Sequence, residues 1–305
     1  MFARMRARVI AQDPSKDVLI VCYCDAMVAT SASFSPSARK PGLVVADLRE
    51  AALPLSIVPP TPARREELTK AHDATYVDDV LGLRRDNGFG DRDACVARSL
   101  PFTTGAMLSA ARHALERRVA FAPVSGFHHA SSGAGAGFCT FNGLAVTALT
   151  LLDERAVGRV AILDCDMHYG DGTAEILRRR DPEGRVLHAT AGLHFGAPEH
   201  VDAFFLWLDA SLRACAECDL VLYQAGADPH VDDPLGGFLD DAELARRDAL
   251  VFQGLEAAGV PVAWNLAGGY QREPDGSIPK VLAIHRRTAL ACVEAYGLRG
   301  VVRQP

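Results

Sequence analysis

Val160-Ala161-Ile162-Leu163-Asp164-Cys165-Asp166-Met167-His168-Tyr169-Gly170-Asp171-Gly172 decides how this chain is read. Its first four residues are an unbroken apolar run, the pattern of a strand buried on both faces. Asp164 to Gly172 then packs three aspartates, a histidine and two glycines into nine positions. In an open parallel sheet, ligands bind just outside the carboxyl ends of the strands. A strand that stops in such a cluster therefore delivers side chains to a site. Asp166 and His168 are two apart, so on an extended segment they point to the same side. A carboxylate oxygen and an imidazole nitrogen are part of a usual zinc ligand set.

Working outward, three more apolar runs end in the same manner. Leu220 to Tyr223 leads into Gln224-Ala225-Gly226-Ala227-Asp228, and Asp228 offers a third ligand. Two carboxylates, one histidine and a bound water would make an open zinc site of the catalytic type. Val119 to Val124 leads into Gly126-Phe127-His128-His129-Ala130, and Val260 to Trp264 into Asn265-Leu266-Ala267-Gly268-Gly269-Tyr270. Each cluster alone has a plain structural explanation: a cap and turn, a packed histidine pair, a tight turn. Their joint occurrence, in this order, carries the functional reading.

Taken together these segments, with Gly137-Phe138-Cys139, Asn142 and Asp233-Pro234-Leu235-Gly236, resemble the histone deacetylase family of zinc-dependent deacylases in the arginase/deacetylase superfamily. The matching motifs cover residues 120–270, with weaker similarity over 20–295. The resemblance implies that Asp166, His168 and Asp228 hold one zinc ion. It implies that His129 is the general base and then the acid, that His128 supports it, and that Tyr270 donates to the oxyanion. Asp164 would pair with His128 and Asp171 with His129. Asp164, with the carbonyls of Asp166 and His168, would also border a potassium site. Gly137 and Phe138 would line the substrate channel. Leu235 stands at a rim position where polyamine-selective relatives carry a glutamate, which favours an acyl-lysine-like substrate over an acetylpolyamine.

The chain also departs from the family pattern. Tyr169 replaces a frequent second histidine. Gly192 stands where a serine commonly helps hold the monovalent cation. The loop after His194 is short and offers no obvious wall aromatic, which points to a wider channel. An arginase-type binuclear manganese site needs an Asp-x-His-x-Asp order, whereas this chain has Asp164-x-Asp166-x-His168. A non-catalytic binding relative is the other rival, and the complete set His128, His129, Asp166, His168, Asp228 and Tyr270 argues against it.

Composition sets the outer bounds. The 305 residues are 49% hydrophobic and 23% charged with a net charge of −6, a globular balance with no basic excess for nucleic acid. Lys16, Lys40, Lys70 and Lys280 are the only lysines, which suggests an arginine-rich, bacterial coding sequence. The eight cysteines sit mostly in apolar runs, and Cys215-x-x-Cys218 lacks a partner pair, so no disulfide or metal scaffold is expected. No signal peptide is evident, and Val18 to Tyr23 is too short to span a bilayer. A cytoplasmic protein is expected, with an acylated amine as its partner and homo-oligomers open.

Strands and helices alternate without a linker or a repeat. That predicts one α/β domain over 16–305, with a mainly parallel sheet flanked by helices on both faces, preceded by a mobile extension over 1–15. Thr61 and Pro62 predict a helix start. A further helix is expected over 102–118, a loop over Asp86 to Asp93 whose acids could border the pocket, and a structural rather than catalytic role for His72.

Overall fold

The computed structural model of the protein describes residues 17–300, so the expected extension over 1–15 lies outside the described residues. The strands are β1 (Leu19–Cys22), β2 (Leu55–Val58), β3 (Val119–Ser125), β4 (Val160–Asp164), β5 (Val186–Thr190), β6 (Leu220–Gly226) and β7 (Val262–Ala267). The helices are α1 (Lys40–Glu50), α2 (Arg65–Ala71), α3 (Ala74–Leu81), α4 (Ala94–Arg117), α5 (Gly143–Asp153), α6 (Asp171–Arg180), α7 (Val201–Cys215), α8 (Asp241–Ala258) and α9 (Pro279–Ala295). One sheet runs β2-β1-β3-β7-β6-β4-β5. Every pairing in it is parallel.

Strand periodicity sorts the core into two layers. Ala161 and Leu163 of β4 face the layer that also holds Val221, Tyr223, Val262 and Trp264, under α1, α7, α8 and α9. Val160 and Ile162 face the opposite layer with Ala120, Ala122, Leu220 and Leu222, under α4 and α5. Helices α2, α3, α5 and α6 enclose a third cluster around Tyr76, Phe141 and Ile176. Since both faces are covered, the central strands read as apolar runs rather than alternations.

Two expectations shift. The helix expected from Thr61 begins instead at Arg65, where Glu67 Oε2 accepts from Arg64 N–H at 2.7 Å. The preceding backbone is drawn against α4: Ala63 N–H donates to Pro101 O at 2.8 Å, and Thr61 O packs against Gly105, so no helical turn can form there. Helix α4 starts well before Phe102. Asp93 caps it by accepting from Cys95 N–H and Val96 N–H, and Pro101 is accommodated inside it. Within β3, Pro123 has no N–H to give to the ladder, and the β3–β7 register shifts between Ala122 and Ser125. That irregularity lies just before the segment carrying His128 and His129. Among the described residues no helix is long and apolar enough to cross a membrane.

Candidate active site

The sheet order makes four strand ends contiguous: β3, β7, β6 and β4. They carry the His-His pair, Tyr270, Asp228, and Asp164 to Asp171 respectively. Clusters separated by up to about 140 residues thus meet at one edge, outside the carboxyl ends of a parallel sheet, as expected for this class.

Asp166, His168 and Asp228 can each turn one ligand atom to a common point, with all these atoms within 4.8 Å of one another. His168 Nδ1 lies 3.2 Å from Asp166 Oδ1 and 3.1 Å from Asp228 Oδ2. Tetrahedral zinc with bonds of about 2.0–2.2 Å separates its ligands by roughly 3.3–3.6 Å, so this donor set is close to the right size. The electrostatics agree. Burial and the charge of Asp166 push Asp228 up to about 7. Asp166, although burial opposes it, is held well below the carboxylate range by His128 and His168. The two acids move in opposite directions because Asp166 faces two imidazoles, while Asp228 faces Asp166 and Asp233 as well as His168. Bonds to both acids raise His168 to about 10. Such crowded, buried negative charge is what a divalent cation would neutralise.

The histidine pair has an inner and an outer member. His128 Nδ1 is 2.7 Å from Asp164 Oδ2, and its Nε2 is 3.5 Å from Asp166 Oδ1. Burial alone would lower His128, but Asp164 and Asp166 outweigh it and His128 rises to about 9. Asp164 is held in turn by Gln224 Nε2 and by Asp166 N–H. His129 Nδ1 is also 2.7 Å from a carboxylate, that of Asp171. Here burial and the neighbouring His128 lower the ring against the pull of Asp171, so His129 stays neutral near pH 7. The rings of His128 and His129 lie 4.1 Å apart, and those of His129 and His168 5.9 Å. Gly137 has φ +51°, and a Cβ there would come within 2.4 Å of His129 Cδ2, so only glycine lets the loop close over that ring.

Tyr270 follows the Gly268-Gly269 turn, and its N–H donates to Asp233 Oδ2 at 2.8 Å. Burial, then the charges of Asp228 and Asp166, raise its phenol far above the usual value and keep it a donor. Sequence reasoning missed Lys40. This fully buried amine on α1 donates to Gly268 O and to Gly269 O, the latter at 3.3 Å, and lies 5.8 Å from the Tyr270 ring centre. Burial lowers it to about 8 against the pull of Asp228, Asp233 and Asp166. A signal existed: Lys40, Val44 and Leu48 form one buried stripe, and a lysine on such a stripe needs a partner.

At the mouth, Phe138 has φ +64°, an uncommon conformation for a residue with a side chain. Its ring meets Tyr270 at 5.6 Å and Phe34 at 5.3 Å. Phe34, 56% exposed, is thus an aromatic neighbour of Phe138 and Tyr270 that the sequence reading did not find. Phe195, after His194, packs instead among Phe204, Trp207 and Phe238. Leu235 is exposed, and its N–H donates to Asp233 Oδ1 at 3.0 Å. The rim acids are otherwise engaged: Asp86 pairs with Arg92, Asp91 with Asn87, and Asp93 caps α4. His72 is buried, with Nδ1 on Ser131 O and Nε2 accepting from Asn142 N–H. As for the potassium site, a Cβ at Gly192 would lie 2.1 Å from the carbonyl carbon of His168, so no side chain fits there. Strand β5 supplies a different hydroxyl, Thr190 Oγ1, which accepts from Gly170 N–H. Cys215 and Cys218 are buried free thiols.

Comparison with known proteins bears on the family. The histone deacetylase domain family model matches residues 36–190, about half of the chain. An uncharacterised protein of Picosynechococcus sp. is 35% identical over 63% of this chain and 69% of its own length. Acetylpolyamine amidohydrolase 1 of Pseudomonas aeruginosa is 29% identical over 49% of this chain, and the match spans half of that relative's length. The solved HD domain of HDA15 superposes with a TM-score of 0.71 at 22% identity, covering 94% of this chain and 91% of that one, so the fold is shared. Motif order, sheet topology and the extent of these matches lead to one conclusion: the chain belongs to the histone deacetylase family.

Proposed function

We propose that the chain is a zinc-dependent deacylase that hydrolyses the amide of an acylated amine, with acyl-lysine as the preferred class, and that residues 16–305 form its catalytic domain. The observation that carries this reading is the meeting of Asp166, His168 and Asp228 beside His129, a neutral and partly exposed histidine. Zinc, when bound, supplies a Lewis acid for the amide carbonyl and a water whose pKa falls to about 7.

The chain's own residues do the rest. His129 keeps Nδ1–H on Asp171, which leaves Nε2 to take the proton of the attacking water. The same nitrogen returns that proton to the amine as the carbon–nitrogen bond breaks. His128, charged and held by Asp164, stabilises the negative charge that gathers beside it. The Tyr270 phenol donates to the carbonyl oxygen as it gains charge, the kind of contact that counts most in acyl transfer. Phe138 and Phe34 give an apolar wall for a methylene chain, and Leu235 at the rim gives a second cation nothing to pair with.

The relative named acetylpolyamine amidohydrolase makes polyamines the proper competitor. The test is acetate release by zinc-loaded protein from an acetyl-lysine peptide and an acetylpolyamine in parallel. Release from the peptide is expected. Release from the polyamine alone would overturn the lysine preference, and release from neither, at one zinc per chain, would overturn the acetyl-amine reading.

A further inference from the structure

Helix α8 carries two charged residues where its buried stripe calls for apolar ones. Leu244, Arg247, Asp248, Val251, Phe252 and Leu255 all face the core, and Arg247 is fully buried. A buried ion pair is a poor source of stability, because well-packed apolar residues of similar volume often do as well or better. What Arg247 touches gives a better account of it. Its Nη1 donates to Gly226 O at 2.7 Å and to Cys165 O at 3.2 Å.

These carbonyls lie at the ends of β6 and β4, the two strands that lead into the carboxylate ligands. Register pairing of β4 with β6 ends at Asp164 and Gln224, and Cys165 N–H to Gln224 O at 3.1 Å is the next backbone bond. Beyond that point Asp166 and Asp228 project from separate segments. Cys165 O shares a peptide unit with the nitrogen of Asp166. Gly226 O lies one peptide ahead of Asp228. A single guanidinium thus clips the two segments together where the ladder stops.

The guanidinium is itself fixed. Arg247 Nε is 2.9 Å from Asp248 Oδ1. Asp248 also accepts from Tyr223 OH at 2.5 Å and from Thr288 Oγ1 at 2.6 Å. Tyr223 belongs to β6 and Thr288 to α9, so the clip is referenced to the sheet and to a second helix. A planar guanidinium holds a geometry that a flexible ammonium cannot.

We propose that Arg247, oriented by Asp248, Tyr223 and Thr288, is a positioning residue that sets the spacing of Asp166 and Asp228 and hence the affinity of the site for its metal. The inference rests on the metal-site reading above. The experiment is zinc competition against a chromophoric chelator, with bound zinc counted per chain. Arg247→Met is expected to weaken zinc binding about 10- to 100-fold, the usual cost of losing an outer support of a metal ligand. Thr288→Val should cause a smaller loss in the same direction, and it carries the test if Arg247→Met does not fold. Arg247→Lys should recover part of the affinity. Leu255→Ala, a cavity on the same helix, should lower the melting temperature and leave zinc affinity unchanged. Wild-type affinity in both Arg247→Met and Thr288→Val, or an equal loss in Leu255→Ala, would overturn the proposal. His168→Ala separates this from the site itself: zinc binding that survives it overturns the metal site and the clip together, whereas zinc lost there but untouched in Arg247→Met overturns the clip alone.

Discussion

His128 and His129 are neighbours in sequence, and each has an aspartate 2.7 Å from Nδ1, yet they belong to different halves of the site. The inner half is His128, Asp164, Asp166 and Asp228, none more than 3% exposed. There the surrounding acids overcome the cost of burying charge, and the imidazole is held as a cation. The outer half is His129, Asp171 and His168, beside the mouth. Asp171 is 60% exposed, so water weakens its hold on the ring, and the cation next door tips His129 to neutral. The same chemical pair therefore holds a charged ring on one side and a neutral ring on the other. The number of acids around each ring, set against the cost of burial, makes the difference.

The sharpest way to break this comparison is to remove each ring. His129→Ala is expected to lower kcat by about 100- to 10,000-fold, the range for a general acid–base group, with zinc content unchanged. His128→Asn should cost less, roughly 10- to 100-fold, as the loss of a support next to Asp166. Steady-state kinetics that rank the two in the opposite order would exchange their roles. Tyr270 joins the two halves, since burial and then the inner acids keep it protonated while its ring meets Phe138. Tyr270→Phe should retain zinc and lose about 100- to 1,000-fold in kcat. Unchanged turnover would remove the phenol from the mechanism.

His72 extends the comparison to a histidine with no acid bonded to its ring. Burial lowers it to about 4, and both ring nitrogens serve backbone groups. Its folded pKa lies below its unfolded one, so the unfolded chain binds the extra proton. Its contribution is complete above pH 6.5 and lost as pH falls toward 4, by at most about 3 kcal/mol. Denaturant midpoints of wild type and His72→Gln across this window should converge at the acid end; parallel curves would show that His72 is not buried as a neutral ring. The smallest effect belongs to the rim. Leu235→Glu should leave acetyl-lysine turnover within about threefold and raise acetylpolyamine turnover at low salt, an effect that salt screens. A preference that does not move would take Leu235 out of substrate selection.

Much of the site was legible before any coordinate. Asp166, His168 and Asp228 stand in strand-end clusters whose spacing is local, and local spacing survives folding. Asp164 and Asp171 occupy the same thirteen-residue stretch as Asp166 and His168. The helix start at Thr61 was misread because that segment spends its backbone groups on α4, a long-range contact that capping residues do not announce. Lys40 and Arg247 went unread for a related reason. Each breaks the apolar stripe of its helix, which signals a buried charge, but its carbonyl partners lie on other elements, 228 residues away for Lys40 and 82 and 21 residues away for Arg247.

By itself the sequence indicated the class of fold and, through its motifs, the family, and it set Asp166, His168, Asp228 and the histidine pair at strand ends as candidates. Those depend on strand periodicity and on which side chains stand at strand ends. Only the tertiary structure decided that β3, β7, β6 and β4 lie side by side, that Phe34 packs against Phe138, and that Lys40 and Arg247 stand behind the site. It also separated His128 from His129. Burial and field strength are sums over everything packed around a group, and that sum exists only once the chain has folded.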